Sequence, residues 1–201
     1  MNSKTNLDSP FVKVVSLGKS FEGQRVLENL SFEFTDPGIR VIEGKSGSGK
    51  TTLLRILAGL ETCDEGRAEV RGKTGFVFQE PRLFENLSLL ENVKIAANGR
   101  YHVPPAYTPE ELLNRVGLGD SMAKLARESS GGMRQRTAIC RALYFNPDVL
   151  LCDEPFSSVD EANGILAAEL ISEFAENRIC LIATHGENLP FGDVKKRIIL
   201  F

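Results

Sequence analysis

Hydrophobic and polar positions alternate along the first part of the chain and give way to strand-then-helix patterns along the last. Phe11 to Leu17, Arg25 to Phe34 and Ile39 to Glu43 read as strands, divided by the turn-forming runs Glu22-Gly23-Gln24 and Asp36-Pro37-Gly38. Thr52 to Ala58 reads as a helix, and Ala68 to Arg71 and Gly75 to Phe78 as short strands around Gly72-Lys73. From residue 86 to 127 the pattern becomes mostly helical. Ser88-Leu89-Leu90-Glu91 and Thr108-Pro109-Glu110-Glu111 are capping boxes that each open a helix, the second with proline at the first helical position. Gly99 to Tyr107 is the loop between them, and Gly131 to Phe145 is a further helix stopped by Asn146-Pro147. Val149 to Cys152 and Ile179 to Ala183 are continuously apolar strands flanking an amphipathic helix, Glu161 to Ala175. Ile198 to Phe201 reads as a last short strand and residues 1 to 9 as a loose tail. Apolar strands alternating with helices predict an α/β fold with a mixed, largely parallel sheet flanked by helices on both faces.

The predicted organisation is one domain over residues 1–201. Residues 10–85 and 138–201 form the core with a small antiparallel β region, and 86–137 form an inserted helical subdomain. At 42% hydrophobic and 25% charged residues, the 201-residue chain can bury a sizeable core. Its net charge of −3, with both signs interspersed, argues against a nucleic-acid partner. The four cysteines show no C-x-x-C spacing, and Cys140, Cys152 and Cys180 lie in apolar stretches; this favours a reducing compartment and no cysteine metal site. Met1 to Asn6 lacks an apolar signal region, and no apolar run approaches the roughly 18 residues that span a bilayer. The chain is therefore expected not to cross a membrane unaided, which leaves docking on a membrane protein open.

Chemistry enters at Gly44-Lys45-Ser46-Gly47-Ser48-Gly49-Lys50-Thr51, a G-x-x-x-x-G-K-[ST] loop between a predicted strand and a predicted helix beginning near Thr52. Its glycines let several backbone N–H groups converge on one anion, Lys50 adds a point charge for the outer phosphates, and the Thr51 hydroxyl suits Mg²⁺. Asp153 and Glu154 end an apolar strand, where parallel sheets bind ligands. Asp153 is placed to reach a metal shell, and Glu154 to orient and deprotonate a water. Ser130-Gly131-Gly132 opens another helix and makes a second anion cradle. Taken alone it would also serve as a plain helix cap; beside the first cradle, the economical reading is that it covers a nucleotide held by a partner molecule.

In this order the motifs closely resemble the ATP-binding subunits of ABC transporters, from about Phe11 to His185: the phosphate loop, Phe78-Gln79-Glu80, Ser130-Gly131-Gly132, Asp153-Glu154-Pro155, Ser157-Ser158-Val159-Asp160, then Thr184-His185. The resemblance implies a P-loop nucleotide-hydrolase core, ATP and Mg²⁺ as cofactors, and a homodimer or paired ATPase subunit on integral membrane permease subunits, at the cytoplasmic face of the cell membrane. It implies that Gln79 senses Mg²⁺ and the attacking water and links two lobes. It implies further that His185 contacts the γ-phosphate, that Asp160 reaches across the dimer and that Phe21 stacks on adenine. Phe21 as a packed core residue, Gln79 as a solvated loop residue and His185 as a surface residue at a strand end are the bland alternatives. Ser129 and Met133 depart from the family's signature, which carries an apolar residue and a glutamine there; methionine lacks the amide donors, so weaker closure is expected. Leu83 and Phe84 are expected either to receive a permease helix or to pack as core. The wording of this stretch resembles nitrate, sulfonate and taurine importer subunits, and no extra regulatory domain is expected after His185. A soluble ATPase of the same superfamily, unlinked to transport, is the alternative function.

Overall fold

A computed structural model describes residues 9–97, 106–185 and 196–200. The expected tail through residue 8, residues 99–105 of the expected loop and the terminal Phe201 lie outside them. Two sheets are present among the described residues. Strands β1 (Phe11–Phe21), β2 (Gln24–Phe34) and β4 (Glu65–Arg71) form an antiparallel sheet in the order β2-β1-β4. Strands β3 (Gly38–Glu43), β5 (Thr74–Val77), β6 (Val149–Asp153), β7 (Ile179–Thr184) and β8 (Lys196–Ile199) form a parallel sheet in the order β5-β6-β7-β3-β8. The helices are α1 (Lys50–Leu57), α2 (Leu89–Lys94), α3 (Pro109–Arg115), α4 (Gly131–Tyr144) and α5 (Glu161–Ala175).

Side chains on β6 and β7 alternate between two cores, which is why both strands are apolar throughout. Leu150, Cys152, Cys180 and Ile182 point to a core shared with α4, α5 and the short helices. Val149, Leu151, Ile179, Leu181 and Ala183 point to a core shared with α1 and the antiparallel sheet, including Val12, Val14, Phe32, Leu53 and Leu54. Each of the valines, leucines, isoleucines and phenylalanines among them contributes about 1.5–3 kcal/mol by leaving water.

Three expectations shift. Strand β1 continues past Leu17, where the sequence reading ended it, to Phe21 across several register irregularities, with Ser16 at φ 47°, so the polar run Gly18-Lys19-Ser20 is bulged strand. The neighbours β4 and β5 part company: β4 pairs antiparallel with β1 and β5 parallel with β6. Both capping boxes form as predicted, but the helices they open are only six and seven residues long. Short 3₁₀ turns, Gly119–Ser121 and Ala126–Glu128, occupy much of the chain between α3 and α4. Asparagine and glycine at Asn114, Gly117 and Gly119 favour such turns over a longer helix.

The order of the parallel sheet collects the carboxyl ends of β5, β6, β7 and β3. The phosphate loop comes after β3, Glu154 after β6 and His185 after β7, and Gln79 lies two residues past β5. Such a collected edge is where open parallel sheets bind ligands.

Candidate nucleotide site

The loop after β3 enters α1 through Gly49 at φ 93°, with no side chain capping the helix and no acidic residue in its first turn. A Cβ at Gly49 would stand 2.9 Å from the backbone carbonyl oxygen of Val26, so at this positive φ only glycine lets the loop pass this close to β2. The first N–H groups of α1 thus remain available, with the positive end of the helix behind them. Lys50 is buried, and its ammonium donates to the carbonyls of Gly44 at 2.8 Å and Lys45 at 3.0 Å.

A cavity of ≈ 510 Å³ opens over this loop, floored by Ser46, Gly47, Gly49, Lys50, Thr51 and Thr52. Phe21 and Val26 reach it from the antiparallel sheet; Gln79, Glu154 and His185 reach it from the ends of the parallel strands. Glu154 is the hub of the charged groups. Its Oε1 lies 3.0 Å from His185 Nδ1 and 3.8 Å from Lys50 Nζ, and its Oε2 accepts from Gln79 Nε2 at 3.5 Å. Its backbone holds φ 45°, unusual for a residue with a side chain, and its N–H donates to Ala183 O at 3.0 Å. Strain of this kind concentrates at functional sites.

Asp153, one residue earlier, is buried, and burial raises its carboxyl above the ordinary aspartate value while a hydrogen bond with Thr51 pulls it back down. Its Oδ1 is buried with no hydrogen-bond partner among the described groups. A buried, unsatisfied carboxylate oxygen beside the Thr51 hydroxyl fits a hard divalent cation, because both are oxygen donors.

The second cradle lies elsewhere. Ser130 caps α4, its hydroxyl accepting from Met133 N at 3.3 Å, and Gly131 is exposed beside it. None of Ser130, Gly131 or Gly132 lines the cavity over Lys50. Gly131 instead borders a groove of ≈ 500 Å³ shared with Gln79, Arg134 and Ser158. Asp160 also lies outside the cavity and caps α5; its bonds from the Asn163 side chain and backbone hold its carboxyl below the usual range. Met133 is partly buried and packs against the core.

Several contributors carry no sequence motif. Val26 lines the cavity. Arg136 is buried and joins the Gly132 carbonyl at 3.3 Å, the Asn163 side chain at 2.7 Å and the Val116 carbonyl. Asn92, fully buried, accepts from Phe84 N at 2.8 Å and donates to the carbonyls of Phe84 and Ser88 at 3.0 and 2.9 Å. That clamp separates two neighbours. Leu83 is core at 7% exposure, whereas Phe84 is 56% exposed.

A phosphate loop between strand and helix, with an acidic pair ending a nearby strand of a parallel sheet, defines a P-loop nucleotide-binding domain. Residues 27–157 match the ABC transporter family model, and the chain belongs to that family as an ATP-binding ATPase domain. It is 36% identical, over 94% of its length and 70% of the relative's, to an aliphatic sulfonates import ATP-binding protein of Streptomyces avermitilis. A second aliphatic sulfonates import ATP-binding protein, from Pseudomonas syringae pv. tomato, is 39% identical over 83% of this chain and 72% of its own. Among solved structures, the dimeric post-hydrolysis state of an ATP-binding cassette bound to ADP and Pi superposes with a TM-score of 0.77 at 27% identity, covering 87% of this chain and 88% of that one. No helix among the described residues is long and apolar enough to cross a membrane.

Proposed function

We propose that this chain is the ATP-hydrolysing subunit of a small-solute importer. It works as a homodimer against integral membrane permease subunits at the inner face of the cell membrane. The relatives' names support import and put aliphatic sulfonates first among candidate cargoes. Residues 86–137 act as the lobe that carries the second cradle, and the exposed Phe84 is the contact offered to a permease helix.

Lys50 exchanges the carbonyls of Gly44 and Lys45 for phosphate oxygens, while the uncapped N–H groups of α1 hold the remainder. Phe21 stacks on the adenine. Thr51 and Asp153 would hold Mg²⁺, with Gln79 beside them, and the ion would supply charge neutralisation and polarisation of phosphate oxygens there. Glu154 accepts the proton of the attacking water, and its backbone bond to Ala183 fixes where it stands. His185, 3.0 Å from Glu154, donates toward the outer phosphate. Ser130, Gly131 and Gly132 of a second copy cover the nucleotide, and Asp160 reaches across the same two-fold interface. Covering the site excludes water and completes the donor set, so hydrolysis comes after closure.

The observation that carries this reading is the position of Glu154, held among Lys50, His185 and Gln79 over the phosphate loop while the second cradle opens elsewhere. Glu154→Gln is expected to keep ATP binding, lower turnover by about 10²–10⁴-fold and accumulate an ATP-bound dimer in light scattering. Wild-type turnover in that variant would remove Glu154 from the role of base. Purification without any membrane partner would favour a soluble ATPase.

A further inference from the structure

Lys19 and Phe21 lie two residues apart on the bulged end of β1. The Lys19 ammonium stands over the Phe21 ring, 4.9 Å from its centroid. Lys19 is 7% exposed, does not line the cavity over Lys50 and is absent from every motif, whereas Phe21 is 43% exposed and does line that cavity. Two carboxylates hold the ammonium in place: Glu61 Oε1 at 3.1 Å and Asp64 Oδ1 at 3.2 Å. The other oxygen of Asp64 accepts from Ser20 N at 2.7 Å, and Asp64 N donates to Gly18 O at 2.9 Å. Asp64 therefore grips the strand on both sides of Lys19, directly before Phe21. The bonds to Glu61 and Asp64 also raise the lysine's pKa, so the cation persists at neutral pH.

We infer that Lys19 is a positioning residue for nucleotide-base recognition. Clamped by Glu61 and Asp64, it fixes the Phe21 ring and draws its π-electrons away from the other face. An aromatic ring attracts a cation over its face through its quadrupole. With one face occupied, the opposite face becomes electron-poor and better suited to stack on an electron-rich base. The inference rests on the proposed stacking role of Phe21.

Calorimetric titration of the purified chain with ADP, and with inorganic pyrophosphate as a ligand lacking the base, separates the two. Lys19→Met is expected to weaken ADP about three- to tenfold, leave pyrophosphate unchanged and raise the KM for ATP at constant kcat. Lys19→Arg, which keeps charge and ion pairs, is expected to restore ADP affinity. In a Phe21→Ala background, Lys19→Met should add nothing, because the ring it acts through is gone. Normal ADP affinity in Lys19→Met beside weakened affinity in Phe21→Ala would overturn the role of Lys19 and leave stacking intact. Normal affinity in Phe21→Ala would overturn stacking itself and the inference with it. Equal weakening of ADP and pyrophosphate in Lys19→Met would mark Lys19 as a support of the loop and overturn base recognition.

Discussion

Two helix N-termini in this molecule are opened by glycines, yet they are built differently. At α1 no side chain caps the helix, a buried lysine curls over the loop, and a carboxylate hub faces it within one cavity. At α4 the Ser130 hydroxyl caps its own helix through Met133 N, Gly131 is exposed, and the cavity over Lys50 does not include these residues. Free donors in a walled cavity can hold an anion unaided. An exposed, self-capped terminus holds one well only where another surface excludes water. The contrast fits the proposal of a site divided between two copies.

Removing the strong half should have the largest effect. Lys50→Ala is expected to weaken ATP binding and to cut turnover by on the order of 10²-fold or more, as read by titration and phosphate release. Ser130→Ala should break the symmetry of that result. Binding of ADP to a single chain stays unchanged, while turnover falls about tenfold and α4 loses about 1 kcal/mol of capping. If Ser130→Ala weakens ADP as much as Lys50→Ala does, the two termini form one site within a single chain and the contrast fails.

Asp153→Asn sharpens the strong half further. A carboxyl whose folded pKa is raised binds protons more readily folded than unfolded, so its presence costs stability as pH rises through that window. The variant should abolish metal-dependent turnover yet melt higher than wild type without nucleotide. Each 1 kcal/mol recovered is worth about 2–4 °C. The gain should be largest at neutral pH and fade in acid; a lower melting temperature at neutral pH would contradict it. Met133→Gln should have the smallest effect. Its side chain leans on the core, so an amide there changes turnover by no more than roughly twofold and costs about 1 kcal/mol of apolar burial.

Much of the fold was legible where local chemistry marks an element's end. The starts of α4 at Gly131, α5 at Glu161 and β6 at Val149 agree with the sequence reading, because caps and turns are local signals. The extension of β1 was hidden, since a bulged strand breaks the two-residue alternation that reveals strands. The parting of β4 from β5 was hidden too, since partners far along the chain decide which sheet a short strand joins. At the site, the motif residues announced themselves by chemistry and spacing. Val26, Asn92, Arg136 and Lys19 did not, because their importance lies in what they touch.

The amino-acid sequence by itself determined that this chain has an ATP-binding ATPase domain with an acidic pair at a strand end. Phosphate binding depends on backbone freedom and charge within one short loop, and both are written in consecutive residues. Only the tertiary structure decided that Glu154, His185, Gln79 and Lys50 meet in one cavity and that Ser130 and Asp160 lie outside it. It also decided that Phe84 rather than Leu83 faces outward, and that an ammonium stands over Phe21. Those outcomes rest on strand order, register and burial, which arise from contacts between residues distant in the chain and so have no local signature.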